Sequence, residues 1–465
     1  MKYNLKHWMR TFMIIGMAVL ALSACTKEKE PSVIEATPIE NPSDSTENTQ
    51  VEIVEPVTTP LKPIFATNSV LNQDEFMDIT TIQAYIETFD NTLIKDIINK
   101  AIEKGLTDIQ HEIYTNLRIS RSQATTGDEA LTETPGIVTL TVEGTPLYYD
   151  ENIVSYRIQG TTDDPTTLPQ LSYLNYDLKS GQKIKLFDLI SEEDVYKAFE
   201  STYQQSYQAP MNSGIFDYWQ IDSAYGFTDQ NNIEITAPAY YLSYEQTEPV
   251  TISIVLEAPV NLELPEAAVV VDFKTETQYT EALNLNYTYP LIQSTADWAL
   301  ALNLEIQSSI DEALDYNVAL ANEDFANSAN ANFEWRPYYF NVNYKTFANN
   351  TKYISIGLNF YQYTGGAHGL TYNKYFNYNI ETGQILTLGS LFESDFDYTT
   401  YINDIIYRGI DEMGLDGEGF AFEGITSEQK FYIEGNWLII AFDPYDIAPY
   451  AAGSPTFKVP LPEMQ

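Results

Sequence analysis

The stretch Leu174-Asn175-Tyr176-Asp177-Leu178-Lys179-Ser180-Gly181-Gln182 recurs 202 residues later as Phe376-Asn377-Tyr378-Asn379-Ile380-Glu381-Thr382-Gly383-Gln384. Leu186-Phe187-Asp188-Leu189-Ile190 and Leu388-Gly389-Ser390-Leu391-Phe392 follow at the same offset, and the runs ahead of the blocks align Val154, Tyr156 and Ile158 with Ile356, Leu358 and Phe360. Alternation of that kind marks a half-buried strand. After a small insertion, Pro238, Tyr244 and Pro249 match Pro444, Tyr450 and Pro455 at an offset of 206, each set just ahead of a last strand. Two matches in the same order imply two copies of one module, at 76–272 and 276–465.

Each copy is expected to open with a helix, Leu93 to Gly105 and Ala296 to about Tyr316. In the second, Leu300, Leu302, Leu304, Ile306, Ile310 and Leu314 supply the apolar stripe. Long strands rich in Tyr, Phe and Ile come next, then a hairpin closed by Ser180-Gly181 or Thr382-Gly383. A second helix (Glu192 to about Tyr207; Ser394 to about Met413) and two final strands complete each copy. Strand runs with segregated helices predict an α+β fold, two antiparallel-sheet modules with helices packed on one face.

The N-terminus reads differently. Lys2, Lys6 and Arg10 precede the apolar run Phe12 to Leu22, which is too short to be a permanent bilayer span and has the form of an export signal over residues 1–24. Leu22-Ser23-Ala24-Cys25 resembles the bacterial lipobox, which makes Cys25 the expected lipid anchor and places the protein on the extracytoplasmic side of the cell membrane. An unmodified cysteine in an ordinary secretory signal is the alternative. Residues 25–66 hold six prolines, many Thr and Ser and an excess of acid, a composition expected of an extended tether. Cys25 is the sole cysteine, so no intramolecular disulfide and no thiolate metal site is available. With 66 Asp and Glu against 24 Lys and Arg, the chain carries a formal charge of −42. That field repels phosphate and rules against a nucleic-acid partner.

In the second copy, Tyr363-Thr364-Gly365-Gly366-Ala367-His368-Gly369, then Phe376-Asn377-Tyr378, then Leu386-Thr387-Leu388-Gly389-Ser390-Leu391-Phe392 come in order. The closing run is Tyr445-Asp446-Ile447-Ala448-Pro449-Tyr450-Ala451-Ala452-Gly453. Together they resemble the bacterial envelope family built from the domains of unknown function numbered 4163 and 3298. The first copy has Asp163-Asp164-Pro165-Thr166-Thr167 in place of the Gly-Gly-Ala-His-Gly loop, so it resembles a degenerate member. The family includes the ectodomain of a lysozyme-sensing anti-sigma factor and a non-catalytic region attached to a peptidoglycan deacetylase, so the resemblance implies envelope recognition. Neither a spanning helix nor the His-x-x-x-His pair of a metal-dependent deacetylase is found: past the signal the histidines are His111 and His368. No enzyme activity and no cofactor is expected.

His368 stands out among the candidate binding residues. In a Gly-rich loop an imidazole can take a ligand, move a proton or sense pH. The plainer reading is a tight link in which Gly365, Gly366 and Gly369 supply unusual backbone angles and the ring caps carbonyls. His111, on a helical stretch, reads as solvated. The tyrosines Tyr363, Tyr372, Tyr375 and Tyr378 of the same hairpin are either cross-strand packing or a contact surface, with Trp335, Arg336, Tyr338 and Tyr339 as a rim. The acidic run Asp411 to Gly419 offers oxygen ligands but lacks EF-hand spacing, and helix-ending glycines explain it equally. The expectation is a lipid-anchored binding protein that recognises a cationic, lysozyme-like protein or peptidoglycan. A structural subunit and a carboxylate-dependent wall hydrolase are the alternatives.

Overall fold

The computed structural model describes residues 62–461 except for 74–76, 127–136, 166, 208–209, 212–214, 216–220, 257–268, 329–334 and 416–420. The export signal, Cys25 and the tether up to residue 61 lie outside the described residues.

In the first module, β1 (Ile64–Gln73), β2 (Met77–Thr88), α1 (Thr92–Thr126), β3 (Val138–Tyr149), β4 (Ile153–Thr162) and β5 (Gln170–Asp177) build a five-stranded sheet in sequence order. Then come α2 (Glu192–Tyr203) and a small sheet of β6 (Tyr225–Phe227), β7 (Asn232–Ala237) and β8 (Val250–Val255). The second module repeats the plan with β9 (Val270–Tyr279), β10 (Leu283–Gln293), α3 (Asp297–Ser328), β11 (Tyr338–Asn349), β12 (Tyr353–Tyr363), β13 (Leu370–Asn379) and β14 (Gln384–Ile385). It ends with α4 (Tyr398–Met413) and the small sheet β15 (Phe431–Glu434), β16 (Trp437–Ala441) and β17 (Thr456–Pro460).

The α+β class holds, with refinements. Each module opens with a strand pair and not a helix, so β1 starts inside the segment read as tether and lies wholly ahead of the boundary drawn at 76. Likewise β9 starts before 276. The large sheets are antiparallel apart from β2/β3 and β10/β11, which run parallel because a long helix between them carries the chain back to the starting edge. α1 and α3 cover one face of each large sheet. The other face is covered by the small sheet with its own helix: Val154, Tyr156 and Ile158 enter the core under α1, whereas Ile153 enters the core with Val195, Phe199 and Tyr225.

Helix α3 buries Leu302, Ile306, Ile310, Ala313, Asn317 and Ala321, a line at three- and four-residue spacing. Leu300 and Leu304, read as part of that stripe, lie outside it and are 50% and 72% exposed. The duplication extends to buried polar groups. Asn99 on α1 receives the N–H of Ile86 and donates to its carbonyl, both at 2.8 Å; Asn303 on α3 does the same to Ile292 at 2.8 and 3.0 Å. Gly181 and Gly383 close their hairpins at φ +71°, a left-handed conformation that favours glycine. Ser155 corresponds to Ser355, so the strands before the repeated blocks align at 200 residues and not 202. A slip of two keeps every side chain on its face, which is why alternation alone left it hidden.

The modules touch along α1. Lys100 Nζ reaches Asp272 Oδ1 at 2.5 Å and the carbonyl of Phe273 at 3.0 Å, and Phe273 is buried in the first module's core. Further along, the His111 ring stacks on Tyr279 with centroids 4.1 Å apart, and burial lowers its pKa from 6.5 against the raising influence of Asp108. His111 is therefore part of the module junction and not the solvated side chain its surroundings in sequence suggest.

Candidate functional site

The β12–β13 hairpin ends in the Gly-rich loop. Gly365 and Gly366 take φ +92° and +95°, where any side chain would be strained, and Gly369 is buried so close to Tyr361 that a Cβ there would lie 2.5 Å from the ring. Tyr363 donates its hydroxyl hydrogen to the Gly366 carbonyl at 3.0 Å. These contacts fold the loop back and carry His368 to the exposed end of the sheet.

There the loop meets the closing motif of the chain. The imidazole stacks on Tyr450 with centroids 4.0 Å apart and planes 18° from parallel, and Tyr445 lies 5.6 Å from Tyr450. His368 Nδ1 is 2.9 Å from the Gly369 carbonyl, which can only accept, so Nδ1 carries the proton. Nε2, 3.3 Å from the Tyr445 hydroxyl, then accepts from it in the neutral ring. Tyr445 adopts φ +76°, an uncommon and costly conformation for a tyrosine, and is 47% exposed. Burial, with Tyr450 and Tyr363 nearby, raises the pKa of Tyr361 at the floor of the cluster.

Carboxylates hold the closing motif in place. Asp446 Oδ2 accepts from the Asp443 N–H at 2.8 Å, and Asp443 Oδ1 accepts from the Asn373 N–H at 3.1 Å while its other oxygen pairs with Lys430. Asp446 also lines an open groove of about 360 Å³ together with Phe422, Glu423, Glu428 and Lys430. An exposed aromatic patch thus borders a groove with three acids and one lysine.

The structure brings His368, Gly365, Gly366, Gly369 and Tyr363 together and leaves the other candidates elsewhere. Tyr378 is buried and donates to Glu305 Oε2 on α3 at 3.1 Å; Tyr372 stacks on Phe360 at 4.7 Å on that same helix-covered face. Tyr375 points to the opposite face and stacks on Tyr432 at 5.1 Å. These three tyrosines serve packing, and Tyr378 has no surface to offer a ligand. Trp335 donates to the Glu281 carbonyl at 2.8 Å and packs on Tyr338, so the expected rim is structural there. Tyr445, Tyr450 and Asp446 complete the site; their signal lay in the closing motif, which sequence could not place beside His368. The first module has no histidine at this point, and Tyr244, the counterpart of Tyr450, is 92% exposed. Gly414 caps α4 at φ +64°, while residues 416–420 of the acidic run lie outside the described residues. Among the described residues no group of three or more His, Cys, Asp or Glu converges to hold a metal, and no helix is long and apolar enough to cross a membrane.

Residues 275–371 match the family model described as Deacetylase PdaC, and residues 389–461 match the Protein of unknown function (DUF3298) model. The peptidoglycan-N-acetylmuramic acid deacetylase PdaC of Bacillus subtilis is 30% identical over 115 residues, 23% of this chain and 24% of that protein; the chain thus spans about a quarter of the relative's length. Crystal structures of DUF3298 family proteins from Bacteroides fragilis (18% identity, 42% of this chain and 92% of that one, TM-score 0.33) and Pseudomonas aeruginosa (17%, 41% and 90%, TM-score 0.32) are also similar.

Proposed function

We infer from the Deacetylase PdaC and DUF3298 matches over the second module, and from its likeness to a peptidoglycan deacetylase, that the chain works in the cell envelope. We propose that the chain is an extracytoplasmic binding protein, held to the membrane by lipid on Cys25, whose His368–Tyr445–Tyr450 cluster and adjoining acidic groove take a cationic, lysozyme-like protein. The observation that carries this reading is the convergence of the two family motifs into one exposed patch beside Glu423, Glu428 and Asp446. The aromatic faces supply contact area at small entropic cost, and the carboxylates steer a basic partner at long range.

Lysozyme binding to the full-length protein, measured across a salt series, tests the proposal. The expected result is binding at low ionic strength that weakens as salt rises and falls about tenfold or more in Tyr445→Ala. Absence of binding at low salt overturns it. A second reading, recognition of wall glycan, is favoured by the stacked rings alone; sedimentation with insoluble peptidoglycan that is indifferent to salt and lost in Tyr450→Ala would select it. Release of Cys25→Ser protein from membranes tests the anchor.

A further inference from the structure

The duplicated fold contains its own record of what the outer flank of the long helix is for. Asn99 and Asn303 make the same bonds to the same strand position, so α1 and α3 correspond residue for residue, 204 apart. On α1, the flank carrying Ile97, Lys100 and Ala101 is covered where β9 packs on it: Ile97 is 2% and Ala101 6% exposed, and Lys100 binds Asp272 and the carbonyl of Phe273. On α3 the same positions are Ala301, Leu304 and Glu305, and all three are exposed, Leu304 by 72%. Leu300 beside them adds a second open apolar side chain, 50% exposed.

Charge specifies the occupant. α1 balances five Lys and Arg with four Asp and Glu, and its Lys100 meets an acidic strand. α3 has seven Asp and Glu and no Lys or Arg, with leucine where α1 has Lys100 and serine where it has Lys104. A strand like β9, bearing Asp272 and Glu276, is wrong for this flank; a basic one is right. The uncharged edge strand β1 of a second copy offers no complement, and two chains of net charge −42 repel. We propose that the open flank of α3 seats an extended, positively charged segment of another protein, laid along the helix as β9 lies along α1. The flank is on the opposite face of the sheet from the His368 cluster: Lys374 and Tyr378 of β13 reach Ser309 and Glu305 of α3, whereas Asn373 and Asn377 reach the elements around Asp443 and Phe431. Its occupancy is therefore independent of that cluster.

The test uses fluorescence anisotropy of three labelled peptides on the full-length protein: Val270–Tyr279 as it stands, the same peptide with Asp272→Lys and Glu276→Lys, and Ile64–Gln73. The cationic peptide is expected to bind, and the unaltered acidic one to bind at least about tenfold more weakly. In the exposed double variant Leu304→Lys/Ser308→Lys, which gives α3 the flank of α1, that preference is expected to reverse. Failure of the cationic peptide to bind overturns the proposal, as does a preference unmoved by the double variant. Preferential binding of the Ile64–Gln73 peptide also overturns it, by assigning the flank to a second copy of the chain.

Discussion

Ser355 donates its hydroxyl hydrogen to Asn377 Oδ1 at 2.6 Å, both side chains being buried between the large and small sheets of the second module. Asn377 passes its amide hydrogen to the Phe431 carbonyl at 2.8 Å, and Ser355 Oγ accepts the N–H of Ile433 at 3.1 Å. The first module repeats every link, Ser155 to Asn175 at 2.7 Å, Asn175 to the Tyr225 carbonyl at 2.7 Å and the Phe227 N–H to Ser155 at 2.9 Å. The repeated Asn-Tyr motif is conspicuous because its buried asparagine ties two sheets together.

Removing that asparagine therefore strands a buried carbonyl and a buried hydroxyl. Asn377→Ala is expected to destabilise the protein by about 2–4 kcal/mol, each unsatisfied group costing about 1–3 kcal/mol, as read by urea unfolding. Adding Ser355→Ala should cost less than its own single effect, because the hydroxyl hydrogen has by then lost its acceptor and only the bond from the Ile433 N–H remains. Strict additivity would show that the two do not form a unit.

The Gly-rich loop gives a contrast between two kinds of glycine. At Gly369 a Cβ would collide with the Tyr361 ring at 2.5 Å, so Gly369→Ala must move the floor of the His368 cluster. A loss of about 1–3 kcal/mol and weakened lysozyme binding are expected. Gly365→Ala meets no neighbouring atom and carries only the strain of φ +92°, about 1–2 kcal/mol. If Gly369→Ala proves no worse than Gly365→Ala in the binding measurement, packing against Tyr361 does not set the loop.

Much of this architecture was legible in the sequence, and what was not has physical reasons. Repeats, hairpin turns and the second helix of each module are fixed by local chemistry: Ser191 and Asp397 cap α2 and α4, and glycines supply the turns. The opening strands were missed because β1 is an edge strand with most residues exposed, so it lacks strong alternation. Leu300 and Leu304 looked like core because an apolar side chain at helical spacing carries no label for the face it takes. Tyr378 looked like surface because a tyrosine buried by its ring can still satisfy its hydroxyl, here on Glu305. The pairing of His368 with Tyr450 spans 82 residues and is a tertiary contact that no local sequence pattern specifies.

At the junction, Lys100 faces Asp272, whose side chain is only 16% exposed. Lys100→Met keeps the aliphatic stem against Phe273 but leaves that carboxylate without its cation, and about 1–3 kcal/mol of stability is expected to go. The companion change Asp272→Asn should recover part of it in a double-mutant cycle. Zero coupling energy would mean that the ion pair does not join the modules.

Stability below neutral pH carries the signature of His111. Packed on Tyr279, with Thr115 Oγ1 3.3 Å from Nε2, the folded ring resists charging, and burial outweighs the raising influence of Asp108. Its folded pKa lies below the value of 6.5 that the unfolded chain retains. As pH falls through 6.5 the unfolded state therefore takes up a proton that the folded state does not, and stability drops until the folded pKa is passed. His111→Phe preserves an aromatic ring for Tyr279 and abolishes the titration. Unfolding of both proteins between about pH 7.5 and about pH 5 should show the wild type losing more stability than the variant over that window. Parallel pH profiles would place His111 in water and remove it from the junction.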